Sequence, residues 1–179
     1  MNIFMTTYKL VLMMVLFSTL FGCKNSGISN NNKNHDIYPK ESFSVIEATL
    51  NGKPYIGSFN MAYANFPEKG MYPWCLSLSM ALDLKMLYPN GLPWPEENKI
   101  ANAEEDQLVS KIKKITTTQY IGHLFNDTFL DIYIYIDKPE KVHEFLQIEK
   151  DKKNLARGIS YEIKQDPNWE MVQGFMVKK

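Results

Sequence analysis

Apolar residues alternate with polar ones over several stretches of the chain, and a period of two is typical of strands that bury one face. The clearest examples are residues 74–83 and residues 129–137. Similar patterns predict further strands at 43–50, 55–63, 117–125 and 159–163. Asn51-Gly52 separates the first two of these strands. Because Asn-Gly favours a two-residue turn, we expect an N-terminal β-hairpin.

Two other segments have apolar residues at helical intervals. Residues 96–115 begin with acids and end with lysines, which suits the dipole of a helix, and residues 139–152 form the second predicted helix. Asp166-Pro167 predicts the cap of a short C-terminal helix, which Trp169 would pack onto the sheet. From residue 74 onward the order is strand, helix, strand, strand, helix, strand. This order predicts an α+β fold with a ferredoxin-like split βαβ sheet and both helices on one face.

The sheet face away from those helices is predicted to be polar and aromatic, with Ser77, Ser79, Asp131, Tyr133, Tyr135, Glu162 and Lys164. If this face is open, Tyr133 and Tyr135 form an aromatic platform for a ligand. Alternatively, the N-terminal hairpin covers the face and the two tyrosines pack beneath it. The sequence leaves both interpretations open.

The N-terminal residues resemble a bacterial export signal. Lys9 precedes an apolar run over residues 10–21, a length within the roughly 7–15 residues of a signal peptide and short of the roughly 20 of a membrane span. The run ends in Leu20-Phe21-Gly22-Cys23. This ending resembles a lipobox, in which the cysteine thiol receives a diacylglycerol group, although Phe21 departs from the usual small or aliphatic residue. A plain secretory signal and an uncleaved anchor are the alternatives.

These features divide the chain into three parts. Residues 1–22 are the predicted lipoprotein signal peptide, and residues 23–41 contain the lipidated Cys23 and an asparagine-rich flexible tether. Residues 42–179 form a single predicted α+β domain. Lys24 follows the cysteine in place of the aspartate associated with inner-membrane retention in some bacteria, so we expect the lipid to hold the protein in the outer membrane.

Charge and cysteine content narrow the classes of partner and cofactor. The chain has 20 basic and 20 acidic residues and no net charge, so it lacks the positive charge typical of nucleic-acid binders. Its two cysteines, Cys23 and Cys75, do not have the spacing of a zinc cluster, and we expect Cys75 to be an inert thiol. The sequence has no phosphate-loop, metalloprotease or hydrolase nucleophile motif. We therefore expect no nucleic-acid partner, no cofactor and no metal.

His123 is the one histidine with a potential catalytic partner in the predicted sheet. It lies on a predicted strand between Ile121 and Phe125 on the same side, which favours a half-buried structural role. In the catalytic alternative, Asp131 on the neighbouring strand orients the imidazole as a general base. No nucleophile at a recognisable spacing completes that set, and the acids at 104–106 are expected to form a solvated helix face.

The segment at 88–95 reads YPNGLPWP and is predicted to be a stiff loop because of its prolines and Asn-Gly pair. Tyr88 and Trp94 on such a loop offer a contact surface for a protein or small-ligand partner. Packing of the same side chains under the sheet edge is the alternative.

Several short motifs recur in a characteristic order: Gly52-Lys53-Pro54, Tyr72-Pro73, Gly91-Leu92-Pro93, Glu104-Glu105-Asp106, Tyr120-Ile121-Gly122, Tyr133-Ile134-Tyr135 and Asp166-Pro167-Asn168-Trp169-Glu170. Together they resemble the bacterial domain-of-unknown-function family DUF695 from Phe43 to the C-terminus. His123 stands where an arginine is common, and Val172 where an aromatic residue is usual. The resemblance implies an α+β domain and no activity, and some family members are joined to domains that resemble a ribonuclease inhibitor.

The leading expectation is an envelope lipoprotein that acts as a non-enzymatic binding or accessory domain and is held to the membrane by lipid on Cys23. One alternative is an envelope hydrolase that uses His123 and Asp131. Another is an intracellular protein-binding regulator, which requires that the N-terminal segment is not a signal peptide.

Overall fold

The structure, a computed structural model, describes residues 38–152 and 157–177. All of these residues belong to one compact unit of the chain. The predicted signal peptide, Cys23 and most of the tether lie outside the described residues.

The described residues form six strands and three α-helices. The strands are β1 (Phe43–Leu50), β2 (Lys53–Asn60), β3 (Trp74–Ala81), β4 (Thr118–Asn126), β5 (Phe129–Ile136) and β6 (Ile159–Gln165). The helices are α1 (Pro95–Lys113), α2 (Pro139–Lys150) and α3 (Glu170–Gln173). The fold is therefore α+β, as the sequence predicts.

The strands form one antiparallel sheet in the order β1-β2-β4-β5-β3-β6. Asn51 and Gly52 both have positive φ, 52° and 78°, which is the backbone of the predicted two-residue hairpin turn. The hairpin extends the sheet, because β2 residues 55–59 pair with β4 residues 122–126. The expectation that the hairpin covers the sheet is therefore wrong.

Helices α1 and α2 pack on one face of the sheet over a core of aliphatic side chains. The core contains Leu76, Leu78, Met80, Leu108, Ile112, Leu130, Ile132, Ile134, Ile136, Val142 and Leu146. The even positions of β5 from 130 to 136 all lie on this face, as their alternation predicts. Burial of these side chains supplies the main apolar driving force for the helix side of the domain.

A second core lies on the opposite face, where the sequence predicts polar and aromatic residues. It contains Phe59, Tyr63, Phe66, Tyr72, Cys75, Ile121, Leu124, Tyr135, Trp169, Val172 and Met176. The covering side chains come from the segment after β2 and from the C-terminal segment. On the predicted open face, Tyr135 is therefore buried and Tyr133 is half-buried, whereas Glu162 and Lys164 remain exposed.

Trp169 fixes the C-terminal segment to this second core. Its side chain is fully buried and stacks on Tyr135 with ring centroids 4.2 Å apart. The indole N–H donates to the backbone oxygen of Tyr72 at 3.0 Å. Asp166 accepts hydrogen bonds from the backbone N–H groups of Glu170 and Met171 at 2.9 and 3.0 Å, so it caps the start of α3 from upstream. Trp169 thus packs onto the sheet as the sequence predicts. Asp166 does stabilise the start of the helix, but α3 begins at Glu170 with Trp169 as its N-cap, so Pro167 is not at the first helical position.

Candidate functional site

A polar cluster beneath α1 contains Glu105, Tyr120 and His123. The Tyr120 hydroxyl donates to Oε1 of Glu105 at 2.6 Å, and Nδ1 of His123 lies 2.7 Å from Oε2 of the same carboxylate. The Tyr120 hydroxyl is also 3.2 Å from Nδ1 of His123. The side chains of His123 and Glu105 are 17% and 3% exposed. One buried carboxylate therefore binds two side chains of β4.

A bulge in β4 allows both of these side chains to reach α1. Residues three apart on a regular strand lie on opposite faces, as successive side chains alternate. The pairing of β4 with β5 shifts between Tyr120 and Gly122, so that Ile121 is an extra residue. Gly122 has φ of 152°, and a Cβ there would lie 2.2 Å from the backbone oxygen of Ser58. The bulge turns Ile121 into the second core and returns His123 to the helix face.

Burial raises the pKa of Tyr120 strongly, and the charge and hydrogen bond of Glu105 raise it further. The Tyr120 hydroxyl therefore keeps its proton at physiological pH and acts as a donor to Glu105. Such a tyrosine is poorly suited to act as a base or nucleophile. Its hydrogen bond instead connects β4 to α1.

His123 and Asp131 do not form the catalytic pair considered from the sequence. His123 is opposite Ile132 of β5, on the helix face, whereas Asp131 is opposite Leu124, on the other face. Asp131 accepts hydrogen bonds from the Ser79 hydroxyl and from the side-chain amide of Asn126, the latter at 2.5 Å. Residues directly opposite each other on neighbouring strands point to the same face of the sheet. His123 is opposite Ile132, so the adjacent residue of β5, Asp131, points to the other face.

The acids at 104–106 do not form a uniformly solvated helix face. Glu105 is buried in the cluster with His123, and Glu104 lies 3.0 Å from Nε of Arg157. Arg157 also donates to both oxygens of the fully buried Glu97, one of them at 2.7 Å. Only Asp106 is exposed as the sequence predicts. Arg157 is 60 positions away from Glu97 in sequence. Helical spacing alone therefore does not reveal this ion pair.

The two tyrosines of the predicted platform pack into the second core. Tyr135 is fully buried, and its hydroxyl donates to Asp166 at 2.5 Å. Tyr133 is half-buried and contacts the rings of Phe59 and Phe175 at centroid distances of 6.2 and 5.4 Å. Burial raises the pKa of Tyr133 to about 12. The structure therefore places both side chains under cover and leaves no open aromatic platform at Tyr135.

Cys75 is a buried free thiol in the same core, 1% exposed. Burial raises its pKa to about 11, although a hydrogen bond with Tyr135 opposes the increase. A thiol in this environment is almost entirely protonated at neutral pH and is therefore a weak nucleophile. It lies in a core of mainly aromatic and aliphatic side chains, whereas the alternation of β3 suggested a polar face.

Tyr88 and Trp94 of the 88–95 loop lie at the surface, where they are 48% and 41% exposed. Their rings meet edge to face, with centroids 6.4 Å apart. The backbone N–H of Trp94 donates to the backbone oxygen of Met86, and the backbone N–H of Tyr88 donates to that of Leu92, both at 2.8 Å. These bonds hold the loop in one conformation while both aromatic side chains stay accessible.

A groove of about 550 Å³ adjoins the loop at the end of the sheet where three chain segments meet. It is lined by Gly52, Lys53, Pro54, Leu84, Leu87, Tyr88, Pro89, Asn90, Gly91, Asp127 and Thr128. Lys53 and Asp127 form an ion pair of 2.5 Å across it. The Thr128 N–H donates to the oxygen of Gly91 at 3.2 Å, so the β4–β5 turn and the loop are connected.

The other chemical features of the described residues are few. Within residues 38–152 and 157–177, no three histidine, cysteine or acidic side chains are grouped closely enough to hold a metal ion. No helix in that part of the chain is both long and apolar enough to cross a membrane. The predicted lipid site at Cys23 lies outside the described residues.

A model of a family of unknown function, DUF695, matches residues 41–177. The chain belongs to the DUF695 family. The DUF695 match includes all six strands and all three helices, so the resemblance in the sequence motifs is confirmed. Neither a curated protein nor a solved structure matches the chain. Membership of DUF695 assigns no activity, and a functional interpretation depends on the residues themselves.

Proposed function

We propose that this protein is a non-enzymatic binding domain that lipid on Cys23 holds to the bacterial envelope, with the outer membrane as its location. In this proposal the 88–95 loop and the adjoining groove form the surface that contacts a protein or small-ligand partner. We also propose that the domain has a ferredoxin-like arrangement, which the strand order β4-β5-β3-β6 and the two helices on one face support.

The main support for this contact surface is that Tyr88 and Trp94 are exposed on a loop that backbone hydrogen bonds hold in place. Aromatic side chains dominate the energetics of many protein interfaces because each buries a large area with few rotatable bonds. A loop that is already ordered loses little further entropy on binding. Leu84, which is 73% exposed and lines the groove, adds apolar area to the same end of the domain.

The internal contacts of the polar clusters support binding over catalysis. His123 contacts Glu105 and Tyr120 through Nδ1, and Asp131 is engaged on the other face by Ser79 and Asn126. Such networks stabilise and specify a fold when their members are satisfied. A histidine-dependent hydrolase that uses Asp131 is therefore not part of the proposal.

Site-specific crosslinking tests the contact surface directly. A photo-reactive amino acid at position 88 or 94 of the full chain should yield the same adduct in intact cells. The matched control is position 148, where Ile148 is 65% exposed on α2. A photo-reactive amino acid at Asn90, which lines the groove, serves as a third reporter. Its crosslink to the partner should disappear in the double variant Tyr88→Ala with Trp94→Ala, and the thermal unfolding of that variant should be unchanged. Equal adduct yields at 88, 94 and 148 would exclude this surface.

A further inference from the structure

Among the described residues, strand β1 is an edge strand whose outer backbone groups pair with no other strand. It is the outermost strand in the order and pairs only with β2 among the described strands. It contains eight residues without a proline, a lysine or a bulge. Natural sheets usually protect such edges with charges, prolines or bulges. At the other edge, β6 carries Glu162 and Lys164 as an exposed ion pair of 2.8 Å, whereas β1 has Glu47 as its single charge.

The pairing of β1 with β2 determines which residues present hydrogen-bonding groups to the free edge. In an antiparallel pair, residues that exchange hydrogen bonds alternate with residues whose N–H and C=O point the other way. The N–H of Met61 donates to the oxygen of Ser42 at 2.8 Å, which continues the β1–β2 ladder on the even-numbered residues. The residues that point to the free edge are therefore Phe43, Val45, Glu47 and Thr49.

Apolar groups flank this edge on both faces of the sheet. On the helix side, Val45 is 70% exposed and Phe43 45% exposed, and Ile56 of the adjacent strand is 37% exposed. On the other side, a groove of about 540 Å³ follows the edge. It is lined by Ser42, Ser44, Val45, Ile46, Glu47, Met61, Gly174, Phe175 and Val177. The edge thus offers both backbone groups and space for the side chains of an added strand.

We propose that two copies of this chain associate through β1, antiparallel about a twofold axis at Ile46. In that register, Val45 is opposite Glu47 of the second copy and Phe43 is opposite Thr49, so every hydrogen-bonding pair uses free-edge residues. The two Ile46 side chains meet on the groove side, where the backbones are closest. The sheet then continues from one copy into the other.

Charge and strand length select this register over its neighbours. Opposed residues must share a face, so the axis must pass through a residue. An axis at Glu47 places two carboxylates directly opposite each other, which is destabilising. An axis at Val45 leaves Thr49 opposite Glu41, outside β1. The chain's own segment 24–37 is a poorer occupant of the apolar groove, since Ile28 and Ile37 are its only large apolar residues.

The first test is the mass of the full chain in mild detergent by sedimentation equilibrium over a range of concentrations. The wild-type chain should show a reversible dimer. Val45→Pro should weaken the dimer at least about tenfold while leaving the melting temperature nearly unchanged. The backbone N–H that proline removes would form a hydrogen bond only across the interface, and not within one copy. Should Val45→Pro fail to fold, Val45→Lys serves the same purpose, with Ile148→Lys as the surface control that keeps the dimer. A wild-type monomer at all concentrations overturns the proposal.

The second test is the register. Ile46→Cys should form an intermolecular 46–46 disulfide under mild oxidation, which peptide mapping distinguishes from bonds to Cys23 or Cys75. Glu47→Cys should form its homodisulfide several times more slowly, because residue 47 is opposite residue 45. Equal rates at 46 and 47, or a faster rate at 47, would overturn the Ile46 axis. Neither test depends on the proposed partner surface at 88–95, so the two proposals can fail separately.

Discussion

Nδ1 of His123 lies 2.7 Å from Oε2 of Glu105, although the two residues are on a strand and a helix that are 18 positions apart in sequence. The same carboxylate accepts the hydroxyl of Tyr120 at 2.6 Å. Glu105 therefore connects α1 to β4 at a buried position. This relationship agrees with the half-buried structural role that the sequence favours for His123, and it gives Glu105 a structural role in place of the solvated helix face expected from the sequence.

Removing the Glu105 carboxylate should destabilise the fold. Glu105→Ala leaves the Tyr120 hydroxyl and His123 without their shared partner, so we expect the free energy of unfolding to fall by about 3 kcal/mol. The neighbouring exposed acid provides the matched control: Asp106→Ala should change it by no more than about 0.5 kcal/mol. Urea unfolding of both variants measures the difference. Similar losses in the two variants would contradict a special role for Glu105.

Gly122 should tolerate no side chain. Its φ is 152°, and an added Cβ would lie 2.2 Å from the Ser58 oxygen. Gly122→Ala should therefore lower the free energy of unfolding by at least about 2 kcal/mol. At Gly174, φ is −60° and no atom lies within 4 Å of the added Cβ, so Gly174→Ala should be neutral or slightly stabilising. Chemical denaturation distinguishes the two, and a harmless Gly122→Ala would mean that the bulge can be rearranged.

The bulge also explains part of what the sequence reveals and part of what it conceals. The bounds of β1 follow from alternation and the Asn51-Gly52 turn, and the structure confirms them. Past the bulge, His123 and Phe125 share a face as predicted, but Ile121 enters the other core. A glycine inside a strand is a recognised sign of a bulge, so Gly122 was the signal that could have corrected the prediction for Ile121.

Long-range pairing accounts for the other differences. Local patterns locate the hairpin but not its neighbour, and the pairing of β2 with β4 places it in the sheet plane. Likewise, the helical pattern of α1 does not reveal that Arg157 binds Glu97 and Glu104. Partners 60 positions apart are brought together only by the fold. Surface exposure of Tyr88 and Trp94 was one of two open interpretations, and the structure places both side chains at the surface.

The stability of the domain should decrease in acid partly through Asp166. Burial alone would raise the pKa of this carboxyl, but hydrogen bonds from the Tyr135 hydroxyl and from backbone N–H groups lower it below its usual value. A folded-state pKa below the unfolded value of about 3.9 gives stability that is present above that pH and is lost as pH falls through the folded pKa.

The variant Asp166→Asn tests that linkage. It should be less stable than the wild type at pH 7 and should lose less stability between about pH 4 and pH 2, since the carboxylate is gone. Urea unfolding at a series of pH values measures both curves. Parallel curves for the two proteins would exclude Asp166 as a source of the acid sensitivity.

Cys75 should be unreactive in the folded protein. With its pKa raised to about 11 and its side chain buried, little thiolate is available to an alkylating reagent at pH 7.5. Iodoacetamide should label Cys75 only when the chain unfolds, as followed by peptide mass mapping. Ser160→Cys, at an exposed position of β6, is the control that should react at once. Rapid labelling of Cys75 in the native state would show that the second core opens readily.

The proposed location of the protein depends on the attachment of lipid to Cys23, which metabolic labelling measures. Cells expressing the full chain are grown with a clickable fatty-acid analogue, fractionated and compared with the variant Cys23→Ser. We expect label and membrane association for the wild-type chain, with Cys23 as the mature N-terminus, and loss of both in the variant. An unlabelled wild-type chain that begins at Met1 and stays in the cytosolic fraction would contradict it and favour the intracellular regulator.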